Sequence, residues 1–201
     1  MTFIDSGSTD NTLNILHQFA IPSHAEIRVA QTGLKFWDHQ ALHQVRNTIW
    51  KESQYDLVLF PDLDEIFYYP NIKRFLNENR FDIYEMEGYE MFSVKMPAKG
   101  SDILKINKGV KFTTYNKSTI FNPKIDIQFL NAHLRYTKCS NINIGNIKLL
   151  HYRCLGLDMM RKRNKRESDR LPQKCKYRSP LTEKEILKRY NDLKIKAKKV
   201  I

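Results

Sequence analysis

In the first 80 positions, segments with the hydrophobic spacing of strands alternate with segments that have the hydrophobic spacing of helices. Short apolar runs predict strands at 2–5, 26–30 and 55–60. Apolar side chains three and four positions apart predict helices at 8–20, 37–51 and 71–76. Strands that alternate with helices are typical of a parallel α/β sheet, which we expect in this part of the chain.

The pattern changes after residue 80. Segments 81–94 and 110–121 are rich in Tyr, Phe, Ile and Thr, which predicts antiparallel or mixed strands added to the sheet edge. A further strand is predicted at 147–152, and helices at 155–170 and 182–198. The second of these helices opens with the capping-box spacing of Thr182 and Glu185. We expect an α/β domain with a mixed sheet over 1–154 and a basic helical extension over 155–201.

Composition narrows the class of protein. With 201 residues, 41% hydrophobic and 11% aromatic, the chain can bury a core and does not have the composition of a disordered or collagen-like protein. Its apolar runs are far shorter than the roughly 20 residues that span a bilayer. Three scattered cysteines without a CxxC pair, and a polar start without a leader-like segment, predict reduced thiols and a cytoplasmic location.

The net charge of +12 is unevenly distributed. Residues 1–100 hold nine Lys/Arg and 14 Asp/Glu, whereas 101–201 hold 25 and eight. The stretch 161–178 alone contains nine Lys/Arg. It predicts contact with an anionic membrane surface or a phosphorylated substrate, and a solvated helix face is the alternative. Nucleic acid is not expected as a partner, because the stretch lacks interleaved aromatics and a known nucleic-acid motif.

The sharpest motif is LFPDLDE, in which an apolar run delivers Asp62, Asp64 and Glu65. On an extended chain Asp62 and Asp64 can face the same side, with their Cβ atoms roughly 7 Å apart. A divalent cation would relieve the repulsion between them, and oxygen ligands suit Mg²⁺ or Mn²⁺. The alternatives are an acidic surface loop and a turn capped by Asp62.

A second motif, DSGSTDNT, follows the first predicted strand. Gly7 allows a ligand close to the backbone, Ser8 can donate hydrogen bonds, and Asp5 and Asp10 can accept them from a ribose or a base. The alternative is a well-capped helix start, since Ser, Thr and Asp commonly precede helices.

Taken together, the two motifs resemble the family 2 glycosyltransferases of bacterial capsule and lipopolysaccharide synthesis, which have the GT-A fold. Asp38 and the segment RNTIWK at 46–51 lie between the motifs, and LLHYRCLG at 149–156 is similar to the C-terminal part of these enzymes. The resemblance covers most of 1–80 and recurs at 118–160. The resemblance begins at DSGSTDNT, so we expect this sequence to have no counterpart of the strand and helix that precede this motif in the family.

The resemblance implies transfer of a sugar from a nucleotide-diphosphate sugar to a polysaccharide or lipid-linked saccharide. It implies that Asp62 and Asp64 hold Mn²⁺ or Mg²⁺ against the diphosphate, with His151 as a further ligand or diphosphate contact. The implied nucleotide-sugar pocket comprises Asp5, Gly7, Ser8, Asp10, Asp38, Arg46 and Asp62. Lipid-linked acceptors would place the enzyme on the inner face of the cytoplasmic membrane, where Arg161, Lys162, Arg163, Lys165 and Arg166 would dock on anionic lipid.

Two candidate catalytic residues remain. An inverting transfer needs a carboxylate base, and we prefer Glu90 over Glu85 and Glu87 because it follows Tyr89 in an aromatic segment suited to a sugar. Glu90 can equally be a solvent-facing strand residue. His133 is a candidate contact to the acceptor or a phosphate.

Two other functions stay open. A metal-dependent nuclease or phosphatase would be expected to place Lys or His beside the carboxylates, whereas apolar and aromatic residues follow them in sequence. The other is an inactive domain that binds an anion or a partner.

Overall fold

The computed structural model describes residues 1–5, 8–23, 26–29, 39–131, 134–170 and 180–201, which form two compact units, Met1–Ile49 and Trp50–Ile201. The helices are α1 (Thr12–Ser23), α2 (His39–Thr48), α3 (Ile72–Glu78), α4 (Leu157–Arg170) and α5 (Glu183–Lys196). The strands are β1 (Thr2–Asp5), β2 (Glu26–Val29), β3 (Val58–Leu59), β4 (Glu65–Tyr68), β5 (Ile83–Ser93), β6 (Lys108–Lys111), β7 (Lys117–Phe121), β8 (Ile127–Phe129), β9 (Arg135–Thr137), β10 (Ile142–Leu155) and β11 (Lys198–Lys199). The predicted mixed α/β class is confirmed. The compact units do not divide at the predicted boundary after residue 154, and α4 and α5 belong to the second unit.

The first unit contains the parallel pair that the sequence predicts. Strands β1 and β2 run parallel, with Asp5 opposite Val29. Helix α1 begins after Asp10, whose carboxylate accepts a hydrogen bond from the Thr12 amide at 3.0 Å. Leu16 and Ala20 are the buried side chains of this helix, in agreement with its predicted apolar face.

The second unit is built on a seven-stranded sheet, and β5 and β10 form the only parallel pair among the described strands of that sheet. Strand β10 also pairs with β4, and β5 pairs with β6 and β7, all antiparallel. The parallel sheet expected over residues 1–80 is therefore wrong beyond β1 and β2. Parallel neighbours need a crossover connection, and β3 and β4 pair instead with β7 and β10, which come later in the chain.

Both faces of the sheet carry buried apolar side chains, and the face beside the helices holds most of the candidate site. On this face, which we call the helix face, Tyr84 and Met86 pack with Ile147 and Leu149 beside α3. Further along the same face of β5, Phe92 packs with residues of β10, α4 and α5: Cys154, Met160, Ile186 and Leu193. A polar row lies on the helix face between these two apolar clusters, so the sheet delivers charged side chains into the interior.

Helix α5 is fixed at its start as the sequence predicts. The Thr182 hydroxyl accepts a hydrogen bond from the Glu185 amide, and the Glu185 carboxylate accepts one from the Thr182 amide at 2.7 Å. None of the described helices combines the length and apolar character that a bilayer-spanning helix requires.

Candidate active site

The acidic motif lies in a turn between β3 and β4. Strand β3 ends at Leu59, and the Glu65 amide donates to the Asp62 carbonyl at 3.0 Å. The Asp62 amide in turn donates to Glu65 Oε2 at 3.0 Å. The two aspartates therefore lie in a turn and not on the extended strand end that the sequence predicts.

Each aspartate binds a different cation of the protein. Lys117 Nζ lies 2.6 Å from Asp62 Oδ2 and also donates to Glu65 Oε1, and the lysine side chain is 2% exposed. Arg163 Nη1 lies 2.6 Å from Asp64 Oδ2. The sequence predicts that a metal ion relieves the repulsion between the carboxylates. In the structure, Lys117 and Arg163 counter this repulsion.

A row of three buried polar residues crosses the helix face. Glu65 on β4 is the register partner of His151 on β10, and His151 is the partner of Glu90 on β5. All three side chains are almost fully buried. Because β10 continues to Leu155, His151 lies within the strand and not at the sheet end that the sequence predicts.

The imidazole of His151 joins the turn to the row. Its Nε2 is 3.3 Å from Asp64 Oδ2, and its ring meets the Tyr115 ring edge-on at a centroid distance of 4.5 Å. Burial raises the pKa of Asp64, but hydrogen bonds and charge from His151 and Arg163 outweigh burial and hold that pKa well below its usual range. Asp64 is thus an ionised carboxylate at neutral pH.

Glu90 is an interior residue, so its alternative placement on a solvent face is wrong. Its Oε2 accepts hydrogen bonds from the Tyr115 hydroxyl at 2.9 Å and from Arg189 Nη2 at 2.7 Å. Burial, together with the Glu90 charge, raises the pKa of Tyr115 to about 12, so the phenol stays a proton donor in this bond. Glu90 Oε1 faces His151 Nδ1 at 4.0 Å, and neither atom has a hydrogen-bond partner among the described residues.

Gly88 leaves the space that Tyr115 needs in order to lie beside Glu90. A Cβ atom at residue 88 would lie 2.4 Å from the Tyr115 carbonyl carbon, closer than any real contact. The Gly88 amide also donates to the Asn116 side chain at 2.9 Å. Glycine therefore lets the segment after β6 cross β5 closely enough for Tyr115 to reach both Glu90 and His151.

Three arginines line a cleft between β10, α4 and α5. Arg153 and Arg163 both bind the Glu167 carboxylate, at 2.8 and 3.1 Å respectively. Arg163 also binds Asp64, and Arg189 binds Glu90. Arg163 was predicted as part of the membrane-facing basic stretch, but it points into the protein. Arg161 is also paired, with Glu183 at 2.5 Å, whereas Lys162, Lys165 and Arg166 are exposed.

Lys117, Tyr115 and Arg189 also contact the candidate site and were not among the residues predicted from the sequence. A signal exists for Arg189, because it falls at helical spacing between the buried Ile186 and Leu193 and so lies on the apolar side of α5. Arg163 similarly follows Met160 by three positions on α4. No local signal marks Lys117 or Tyr115, since their roles depend on which strands pair.

The donor atoms of Asp62, Asp64 and His151 suit Mn²⁺ or Mg²⁺ chemically. Among the residues that the structure describes, however, no three His, Cys, Asp or Glu side chains are grouped so as to hold a metal. Arg163 also shares Asp64 Oδ2 with His151. The described arrangement does not fit a three-ligand metal site, and the metal stays a prediction.

The other predicted site residues fall in the first unit or outside the description. Asp5 is buried and accepts hydrogen bonds from the amide and hydroxyl of Ser8 at 2.9 and 2.5 Å, while Asp10 caps α1 and Arg46 lies in the last turn of α2. These contacts agree with the alternative of a capped helix start. Gly7, Asp38 and His133 lie outside the described residues.

Comparisons with protein-family models, with curated proteins and with solved structures find no match for this chain. The sequence resemblance and the geometry of the second unit are therefore the basis for a functional proposal.

Proposed function

We propose that this chain is a glycosyltransferase that transfers a sugar from a nucleotide-diphosphate sugar to a polysaccharide or lipid-linked saccharide, using a GT-A-like fold. One observation carries the proposal. His151 Nε2 lies 3.3 Å from Asp64 Oδ2, although the two residues come from distant parts of the sequence. These are the residues that the family resemblance pairs at the donor diphosphate.

The charge arrangement around Asp64 supports a diphosphate-handling site. The Asp64 side chain is 29% exposed, whereas the Glu90 side chain is 2% exposed, so the accessible end of the network is at Asp64 and Arg163. Sugar transfer leaves negative charge on the departing diphosphate, and fixed cations nearby stabilise that charge in the transition state. The Arg163 guanidinium, 2.6 Å from Asp64, is positioned to contribute such a charge.

Metal dependence is part of the proposal. The resemblance alone assigns Asp62, Asp64 and His151 as ligands of Mn²⁺ or Mg²⁺, because these side chains are not grouped around one ion in the described arrangement. Because Arg163 forms an ion pair with Asp64 in the described arrangement, metal binding is tested separately from donor binding.

The remaining roles are carried over from the resemblance. Asp5, Gly7, Ser8, Asp10, Asp38 and Arg46 would bind the nucleotide, and His133 the acceptor. Glu90 as catalytic base would require the acceptor hydroxyl to reach a buried oxygen. Its Oε1 is the free oxygen, since Oε2 is bound by Tyr115 and Arg189.

A thermal-unfolding titration tests the proposal. UDP, GDP and CMP are added with Mn²⁺ or with EDTA, and release of nucleoside diphosphate is then measured from UDP- and GDP-sugars. We expect stabilisation by one nucleotide in the presence of Mn²⁺, lost in Asp64→Asn and kept in Asp56→Asn, which changes an exposed carboxylate. Binding that survives EDTA would remove the metal from the proposal, and no binding of any nucleotide would contradict the transferase itself.

One observation favours a second candidate, a metal-dependent phosphoester hydrolase. The sequence argued against it because no Lys or His follows the carboxylates, yet the fold brings Lys117 and His151 beside them. Hydrolysis of bis(p-nitrophenyl) phosphate without any sugar acceptor, abolished in Lys117→Met, would favour this candidate. Nucleotide binding without turnover of either substrate would favour an inactive anion-binding domain.

A further inference from the structure

We propose that a groove on the opposite face of the sheet binds a saccharide. The groove has a volume of about 490 Å³ and is lined by Tyr68 of β4, Glu87 of β5, and Asn146 and Lys148 of β10, together with Tyr69, which follows β4. Small-molecule sites commonly fall between about 300 and 1,000 Å³, so the groove can hold one or two sugar rings.

The lining is a second cross-strand row. Lys148 is the register partner of both Tyr68 on β4 and Glu87 on β5. Each of the three lies three positions from a member of the Glu65–His151–Glu90 row, so their side chains project from the other face of the sheet. All three are half-buried. The apolar part of this face, around Met91 and Leu150, is covered by Ile103, Ile106 and Val200.

The chemistry of this row matches a pyranose ring. Tyr68 offers an aromatic surface to the C–H face of a sugar, Lys148 offers donors, and Glu87 offers acceptors. These polar groups are held in place, since Lys148 Nζ donates to the Val200 carbonyl at 2.6 Å and Glu87 Oε2 accepts from the Tyr89 hydroxyl at 2.9 Å. An ammonium and a carboxylate each retain further hydrogen-bonding capacity for sugar hydroxyls.

The charge of the groove favours a saccharide over a phosphate. Glu87 lies 2.5 Å from Lys111 Nζ, and that hydrogen bond, with a second from Tyr89, holds the pKa of Glu87 below its usual value. An ionised carboxylate beside Lys148 and Lys111 cancels much of their positive charge. A dianionic phosphate would meet this carboxylate, whereas hydroxyl groups can use both signs of charge.

A bulge in β10 shapes one side of the groove. The register of β10 against β5 shifts between Gly145 and Lys148, and Gly145 has a φ of 153°. Asn146, in this bulge, is exposed and lines the groove. Bulges commonly re-aim a side chain next to a binding site, and an amide both donates and accepts hydrogen bonds.

Binding is tested on the full chain by saturation-transfer NMR and calorimetry. The probes are maltohexaose, an N-acetylchitohexaose and a hyaluronan hexasaccharide, which differ in linkage, acetylation and charge. We expect at least one probe to bind, with affinity reduced about tenfold in Tyr68→Ala and reduced also in Asn146→Ala. Tyr55→Ala, which removes a tyrosine that is 78% exposed, is the matched control and should bind like the parent chain.

Asn146→Ala keeps the test decisive if Tyr68→Ala fails to fold, because Asn146 is exposed. Absence of binding to all three probes would overturn the proposal, as would equal weakening by Tyr55→Ala and Asn146→Ala. The probes are titrated without nucleotide, because Asp64 contacts His151 on the other face of the sheet. A failure of the nucleotide titration therefore does not decide this test, and the reverse is also true.

Discussion

Arg189 of α5 donates a hydrogen bond to Glu90 of β5 at 2.7 Å and so ties the last helix to the middle of the sheet. Glu90 is almost fully buried, and the Arg189 side chain is 31% exposed. Losing one partner of such a pair leaves the other charge poorly compensated.

Replacing Glu90 with Gln should therefore destabilise the second unit. We expect the free energy of unfolding to fall by about 2 kcal/mol, less than for a completely buried pair because water reaches part of Arg189. Urea denaturation measures the change. Glu78→Gln, in an exposed pair with Arg74, is the matched control and should cost at most about 0.5 kcal/mol. Equal effects of the two substitutions would contradict this reading of Glu90.

Lys117→Met removes the cation shared by Asp62 and Glu65. Because Glu65 is buried, we expect a loss of about 3 kcal/mol in the free energy of unfolding. The control is Lys124→Met, which changes an exposed lysine and should alter stability by less than about 0.5 kcal/mol. A Lys117→Met chain as stable as the parent would show that the ion pairs with Asp62 and Glu65 contribute nothing net.

The stability contributed by Asp64 should depend on pH. Its pKa is lower in the folded chain than the usual value near 4, so the folded state binds this proton less readily than the unfolded state does. The contribution is complete above about pH 5 and is lost as pH falls below about 4. The measurement compares the parent with Asp64→Asn in urea at several pH values, with Asp56→Asn as the control. A difference that stays constant from pH 6 to pH 2 would refute this linkage.

Cys154 should resist thiol reagents while the chain is folded. Burial, and then the Glu90 charge, raise its pKa to about 12, which leaves almost no thiolate at pH 8. In a Cys139→Ser, Cys175→Ser background, we expect labelling by a disulfide reagent to be at least about a hundredfold slower than in urea. Rapid labelling of the folded chain would mean that the interior around Glu90 opens readily.

Membrane docking through α4 should be weaker than the sequence suggests. Of the five basic residues at 161–166, Arg161 and Arg163 are held in ion pairs, whereas Lys162, Lys165 and Arg166 are exposed. At ~1 kcal/mol per residue, three cations give about 3 kcal/mol of attraction to anionic lipid. We expect the chain to co-sediment with vesicles that contain phosphatidylserine. Replacing Lys162, Lys165 and Arg166 with Gln should abolish this co-sedimentation. Replacing the exposed Lys95, Lys99 and Lys105 with Gln, as the control, should leave it unchanged. Binding to pure phosphatidylcholine, or binding that ignores salt, would contradict docking by charge.

Features of the fold that depend on neighbouring residues could be predicted from the sequence. The capping box of Thr182 and Glu185 uses groups three positions apart, and the alternation in β5 reflects side chains two positions apart. Helix α4 likewise begins within two residues of its predicted start. Such signals are complete within one segment.

Features that depend on strand pairing could not be predicted in the same way. Nothing near Lys117 indicates that β7 will lie where its ammonium reaches Glu65, and nothing near His151 indicates that β5 will run parallel beside it. The family resemblance predicts that Asp64 and His151 belong to one site, and the structure brings their side chains together. The resemblance also predicts one metal ion shared by Asp62 and Asp64, but in the structure Asp62 pairs with Lys117 and Asp64 with Arg163.

The parallel pairing of β5 with β10 also governs the order in which the second unit can form. Bringing β5 and β10 together closes a long loop, and this loop closure costs conformational entropy before any contact between the strands can form. Topologies with many contacts between distant parts of the sequence fold slowly for this reason. His151 can therefore contact Glu90 and Tyr115 only after β5 and β10 have met. Fragments that end before β10 contain every acidic residue of the Asp62–Glu65 turn and yet lack the His151 contact, so the candidate site is a property of the completed sheet.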